Sequence, residues 1–286
     1  MFRRYRLNES ELINTLKNDV PTFDYLIHKL AIEKKQKSIA QGLQQAYVDG
    51  FGYDADLLQQ SWFPMVKGAH VFISHSHADK DFATNLAIWL KHHFGIEAFI
   101  DSYIWGYALD LQKKIDEEHC LQVGKTTYDY DKRNFTTSHV HLMLANSLTR
   151  MLDECECLMF IQSSNSLLDT TESDNFTSKT HTASPWIMHE LNTSTLLRSN
   201  PKIRRVSTNL ESRSLDAMEM ILEKAGSRDF SAFYKLDLEQ LLVINRSNIE
   251  SWSLNDSSKG YHALTELYNI KGDTLVYADR TLSEVK

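Results

Sequence analysis

The sequence predicts an α/β fold built on a parallel sheet, and three observations carry that prediction. Residues 71–73 (Val-Phe-Ile), 98–100 (Ala-Phe-Ile) and 157–161 (Cys-Leu-Met-Phe-Ile) are short, continuously apolar runs, the pattern of strands covered on both faces. Between the first two, Phe82, Leu86, Trp89, Leu90 and Phe94 recur at three and four residues and Gly95 follows, which is an amphipathic helix with its stop signal. Strand, helix and strand then make one right-handed crossover unit.

The remaining elements follow the same logic. Residues 1–66 read as a helical N-terminal extension: Leu12, Ile13 and Leu16 form one segment, Tyr25, Leu26, Leu30 and Ile32 a second after Pro21, and Ile39, Leu43, Ala46 and Tyr47 a third, stopped by Gly50 and Gly52. This lobe suits docking or oligomerisation. Residues 61–68, with Pro64, mark the boundary to an α/β domain over 67–286. After a loop at 102–106, a helix from about Ala108 carries Leu109, Leu111 and Ile115; a polar insert at about 122–138 interrupts it, and Leu142, Leu144, Leu148, Met151 and Leu152 resume it. A polar loop at 168–183 follows the third strand. Ser184 then caps a helix whose first position takes Pro185 and whose body runs over 186–197. Further strands are expected at 202–206 and 233–236, and helices at 215–222, 238–252 and 261–267.

Composition narrows the function classes. The chain has 286 residues, 42% hydrophobic and 24% charged, ordinary values for a folded protein. A net charge of −7 argues against direct nucleic-acid binding, since no broad basic footprint is available. No run approaches the length of a membrane helix, and the start lacks the apolar core of a secretion signal. Cys120, Cys155 and Cys157 are too few for a disulfide framework and fit a reducing compartment. A cytoplasmic protein without membrane contact is the expectation.

In an open parallel sheet the ligand crevice lies beyond the carboxyl ends of the strands. That rule selects Ser74, His75 and Ser76, then Asp101 and Ser102, then Ser163 and Ser164. The helix opened by Ser184 and Pro185 starts at the same edge. Its Trp186 and Glu190 stand four residues apart, on one helical face. An aromatic plate beside a carboxylate suits a ring and a developing cation, although the same spacing also fits a packed tryptophan beside a solvated acid. No G-x-G-x-x-G occurs, so a Rossmann phosphate turn is absent.

The segment VFISHSHADKDFATNLAIWLKHHFGIEAFID, with SPWIMHEL downstream, resembles a Toll/interleukin-1 receptor (TIR) domain, particularly the bacterial kind. The resemblance covers about 69–252. It implies a flavodoxin-like five-stranded sheet with helices on both faces and, in many members, cleavage of NAD+ at the nicotinamide–ribose bond, giving ADP-ribose or a cyclic form. By that resemblance Glu190 is the catalytic carboxylate, and Ser74, His75, Asp101, Leu109 and Trp186 bind the substrate. Trp105, Gly106 and Tyr107 match the loop that joins neighbouring domains in active assemblies. NAD+ would be substrate and not cofactor, no metal is implied, and the expected partners are further copies of the chain and an activating protein. A role in bacterial anti-phage immunity goes with it.

Two other readings stay open. Many TIR domains are non-catalytic adaptors that act by homotypic contact. His75-x-His77-x-Asp79 is similar to the metal loop of metallo-β-lactamase-like hydrolases, but Lys80 stands where a further histidine ligand belongs. The pair His139 and His141 and the pair His92 and His93 read as surface or loop histidines.

Overall fold

The computed structural model describes residues 2–36, 43–49, 52–168, 180–198, 232–254 and 257–272. Its centre is a five-stranded, all-parallel sheet of β1 (Arg3–Asn8), β4 (Val71–Ser74), β5 (Ala98–Ile100), β6 (Cys157–Gln162) and β9 (Leu242–Ile244). Two short antiparallel pairs lie outside it: β2 (Tyr47–Val48) with β3 (Gly52–Tyr53), and β7 (His181–Thr182) with β8 (Tyr234–Lys235). The helices are α1 (Glu9–Asn18), α2 (Thr22–Gln36), α3 (Ala55–Trp62), α4 (Lys80–Phe94), α5 (Ser102–His119), α6 (Tyr130–Glu154), α7 (Pro185–Leu196), α8 (Arg246–Ser253) and α9 (Tyr261–Ile270).

Strand order is β5-β4-β6-β1-β9. With β4, β5 and β6 counted as the first three strands, this is the flavodoxin-like order, and its fourth position is filled by the N-terminal strand. Alternation along the strands separates two cores. Val71, Ile73, Cys157, Met159 and Ile161, joined by Tyr5 and Leu7, face one side with α1, α4, α8 and α9. Phe72, Phe99, Leu158 and Phe160 face the other with α3, α5, α6 and α7. The α/β prediction holds, and the expected termini at Gly95 and Ser184 do as well: Gly95 takes a left-handed conformation (φ 60°) that a β-carbon disfavours, and Ser184 accepts a hydrogen bond from the Ile187 backbone N–H at 3.2 Å, ahead of Pro185.

Several expectations are corrected. Residues 1–66 are not a purely helical extension, because Arg3–Asn8 is an inner strand paired with both β6 and β9. The expected boundary at 61–68 is crossed by one core, since Trp62, Phe63 and Ala69 are buried together with Phe72 and Leu158. The loop expected at 102–106 is the opening of α5, which runs unbroken from Ser102 to His119. Half of the expected insert belongs to α6, whose cap is Asp129, accepting from the Lys132 N–H at 3.0 Å. The expected strand at 233–236 pairs with β7 and not with the central sheet. The expected helix at 238–252 is divided, its residues 242–244 forming edge strand β9 before α8. The expected elements at 202–206 and 215–222, and Ile39, lie outside the described residues.

The three cysteines are buried and unpaired with one another, which suits a structural role. Burial pushes the Cys157 thiol well above its ordinary range, with Glu156 adding to the shift. No described helix is long and apolar enough to cross a membrane.

Candidate functional site

The carboxyl edge of β4 and β5 gathers polar side chains out of water. Ser74 ends β4 and is fully buried, and His75 follows it, 3% exposed. The register pairs Ile73 with Ile100, so Asp101 comes level with Ser74 on the next strand. His75 Nδ1 stands 2.6 Å from Asp101 Oδ1, an ion-pair approach without the alignment of a hydrogen bond. Ser102, at the start of α5, is buried with its hydroxyl unpartnered.

Glu190 completes this group from the opposite wall. The inward stripe of α7 is Ile187, Glu190, Leu191 and Ser194, spaced as a helix spaces its core face. A glutamate therefore occupies a position that packing alone would give to an apolar residue. It is 0% exposed, and neither carboxyl oxygen has a hydrogen-bond partner of ordinary geometry. Burial pushes its pKa well above the glutamate range, the negative charge of Asp101 and a hydrogen bond shared with it push in the same direction, and the Ser74 hydroxyl opposes them. A buried acid with nothing to balance it is costly, and such groups cluster at functional sites.

A side-chain strap ties two of the loops at the carboxyl edge together. Asp79, 2% exposed, accepts from Ser163 Oγ at 2.5 Å and from Asn165 Nδ2 at 2.6 Å, which ties the loop after β4 to the loop after β6. Ser163 Oγ also accepts from the backbone N–H groups of Asn165 and Ser166, both at 3.0 Å. Asp79 is thus occupied as an acceptor, His75 faces Asp101, and His77 is largely exposed, its pKa lowered chiefly by partial desolvation of its ring, with the charge of Lys80 acting in the same direction. The three do not converge, and among the described residues no group of three histidine, cysteine or acidic side chains is arranged to hold a metal ion.

The other expected residues divide. Trp186 is half-buried, its ring edge-on to His141 of α6 (centroids 5.8 Å apart) and to His189 (6.4 Å), so it forms part of the α6–α7 wall one turn before Glu190. Leu109 is 38% exposed on α5 and lies outside the buried polar group. Trp105, Gly106 and Tyr107 are in the first turns of α5, and nothing of their side-chain placement is described. Ser74, His75, Asp101 and Glu190 are brought together as one group.

Two features escaped the sequence. The Asp79 strap depends on a contact between residues that are distant in the chain. Arg6 lies on β1, where arginines alternate with Tyr5 and Leu7 at strand period, a weaker signal than the helical spacing that follows it. No family model, no curated protein and no solved structure matches this chain.

Proposed function

We propose that this chain is a TIR-type NAD+ nucleosidase in which Glu190 is the catalytic carboxylate. The observation that carries the reading is Glu190 itself: a fully buried, unbalanced acid on the inward stripe of α7, beside Asp101, Ser74 and His75. It joins the resemblance of the VFISHSH, FID and SPWIMHEL segments to that family.

The chemistry follows from the residues. Breaking the bond from ribose C1′ to the nicotinamide nitrogen sends the bonding pair to nicotinamide, which leaves as a neutral base. No general acid is needed. C1′ becomes oxocarbenium-like, and a carboxylate held in a dry site stabilises that charge far more than it would in water. Water then adds at C1′ and releases a proton, giving ADP-ribose; attack by an adenine nitrogen gives the cyclic product. Burial and Asp101 raise the Glu190 pKa in the free site, and arrival of the cationic nicotinamide riboside opposes that shift by favouring the carboxylate. His75 positions Asp101, while Ser74 and Asp101 meet the ribose hydroxyls. Trp186 stands on the adjoining wall.

On the same resemblance, self-assembly through Trp105, Gly106 and Tyr107, in concert with an activating protein, would switch on a cytoplasmic effector of bacterial anti-phage defence. The test is NAD+ consumption by the purified chain at high concentration, with products separated by chromatography. Wild type is expected to release nicotinamide and Glu190→Gln to release none. Equal turnover by both overturns the reading, and no turnover by either favours the adaptor.

A further inference from the structure

We propose that His189, the residue before Glu190 on α7, is the positioning residue of that carboxyl: its hydrogen bond to α6 fixes the rotation of α7 that holds Glu190 in the buried polar group. The inference deepens the reading above and rests on it for the chemistry, though not for the placement of the acid.

Successive residues of a helix point about 100° apart, so α7 shows two faces at this level. Ile187, Glu190, Leu191 and Ser194 face the core, whereas Trp186 and His189, three residues apart on the adjoining face, meet α6. The His189 Nε2 stands 3.2 Å from the Ala145 carbonyl oxygen and 3.3 Å from Thr149 Oγ1. A carbonyl oxygen only accepts, and the Thr149 hydroxyl already donates to the same carbonyl at 2.9 Å. Nε2 therefore carries a proton in either charge state of the ring and donates to both oxygens. Trp186 packs on the same helix through His141, with ring centroids 5.8 Å apart, so the face beside Glu190 is seated on α6 by one polar and one aromatic contact.

Glu190 needs that support because its own surroundings hold it weakly. Neither carboxyl oxygen has a hydrogen-bond partner of ordinary geometry, and the residue is 0% exposed, so an acid free to turn would seek water. Side chains reach about 5–6 Å from a helix axis, and a rotation of about 10° then moves the carboxyl by about 1 Å. A displacement of that size can cost about a hundredfold in rate. Other side-chain hydrogen bonds of α7 stay within its own segment: the Ser194 hydroxyl donates to the Leu191 carbonyl, and the Ile187 N–H donates to the Ser184 cap. Neither resists a rotation of α7 against its neighbour. The bond of His189 reaches a different helix and does.

The experiment is a double-mutant cycle in the full chain, read by thermal melting at about pH 8, alongside NAD+ kinetics. His189→Leu removes the donor, and His189→Gln returns an amide N–H at the reach of Nε2. If His189 holds the carboxyl away from water, the rise in Tm caused by Glu190→Gln should shrink by at least half in the His189→Leu background and return in the His189→Gln background. A contact that only supports the fold gives additive shifts. In the kinetics, His189→Leu should lower kcat at least tenfold with KM within threefold, and His189→Gln should recover most of the loss. Circular dichroism confirms the fold of each variant, and His189→Asn, whose amide falls short of α6, carries the cycle if His189→Leu does not fold. The proposal fails if Glu190→Gln raises Tm equally in the wild-type and His189→Leu backgrounds, or in neither, or if His189→Gln behaves as His189→Leu does. Coupled melting without NAD+ cleavage leaves the positioning role standing and removes the nucleosidase reading. NAD+ cleavage with additive melting and a kcat indifferent to His189 does the reverse.

Discussion

Replacing Glu190 by glutamine should make the protein inactive and more stable together. In the folded chain the Glu190 carboxyl titrates well above its ordinary value near 4.5, because burial and Asp101 both disfavour its charge. In the unfolded chain it titrates normally. Between those two values the unfolded chain has released a proton that the folded chain retains, so stability falls as pH rises, and the penalty stays constant above the folded value. Glutamine carries no titrating proton, and its amide donates to Asp101 while its carbonyl accepts from Ser74. A buried polar group left unsatisfied costs about 1–3 kcal/mol. For a chain of this length that corresponds to about 2–6 °C in Tm, at roughly 2 °C per kcal/mol. Thermal unfolding followed by circular dichroism across a pH series should show Glu190→Gln melting above wild type at about pH 8, with the gap closing toward about pH 4. A variant that melts below wild type at about pH 8, or a gap that widens on acidification, refutes the account of Glu190 as an unbalanced buried acid. Retained NAD+ turnover in the same sample refutes its catalytic role.

Three further outcomes follow from the same geometry. Asp101→Asn removes the charge that raises the Glu190 pKa, so the acidic limb of the kcat/KM profile should move to lower pH whatever the loss in absolute rate; a limb that stays in place shows that Asp101 does not govern the titration. Asp79→Ala removes an acceptor of two charge-assisted hydrogen bonds and should lower stability by about 3 kcal/mol or more, read from the urea midpoint, while EDTA should leave NAD+ turnover of the wild type unchanged because His75, His77 and Asp79 do not converge. Deleting residues 1–66 removes inner strand β1 with Tyr5 and Leu7, each fully buried and each contributing about 1.5–3 kcal/mol, so the fragment should lack a cooperative unfolding transition; a cooperative, soluble fragment would restore the expected boundary near residue 66.

The fold and the site were legible to different depths. β4, β5 and β6 announced themselves because strands covered on both faces must be apolar throughout. α4 and α7 did so through their caps and stripes, and Glu190 stood out by its place after Ser184 and Pro185. β1 did not, because its Tyr5 and Leu7 meet an apolar core while Arg4 and Arg6 point to the other face. That alternation is weak over six residues, and the helical spacing of Leu12 and Leu16 follows at once. β9 does not stand out within the longer helical pattern around it, because three residues are too few to set a period. The start of α5 is hidden in the same way, because its first turns, rich in aromatic residues, resemble a loop in composition.

The sequence by itself determined the α/β class, the strand ends at Ser74 and Asp101, and the placing of Glu190 on a helix that opens at the same edge. These depend on periodicity and capping, which act within a few residues. Tertiary structure alone decided that the N-terminal strand enters the sheet between β6 and β9, that Asp79 straps two loops together, and that Arg6 lies level with Ser74 across Phe160. It also decided the state of the acid: Glu190 is an ordinary glutamate until the packed sheet edge removes its water and sets Asp101 beside it. Pairing partners, burial and the fields that shift a pKa come from groups distant in the chain, and no local pattern contains them.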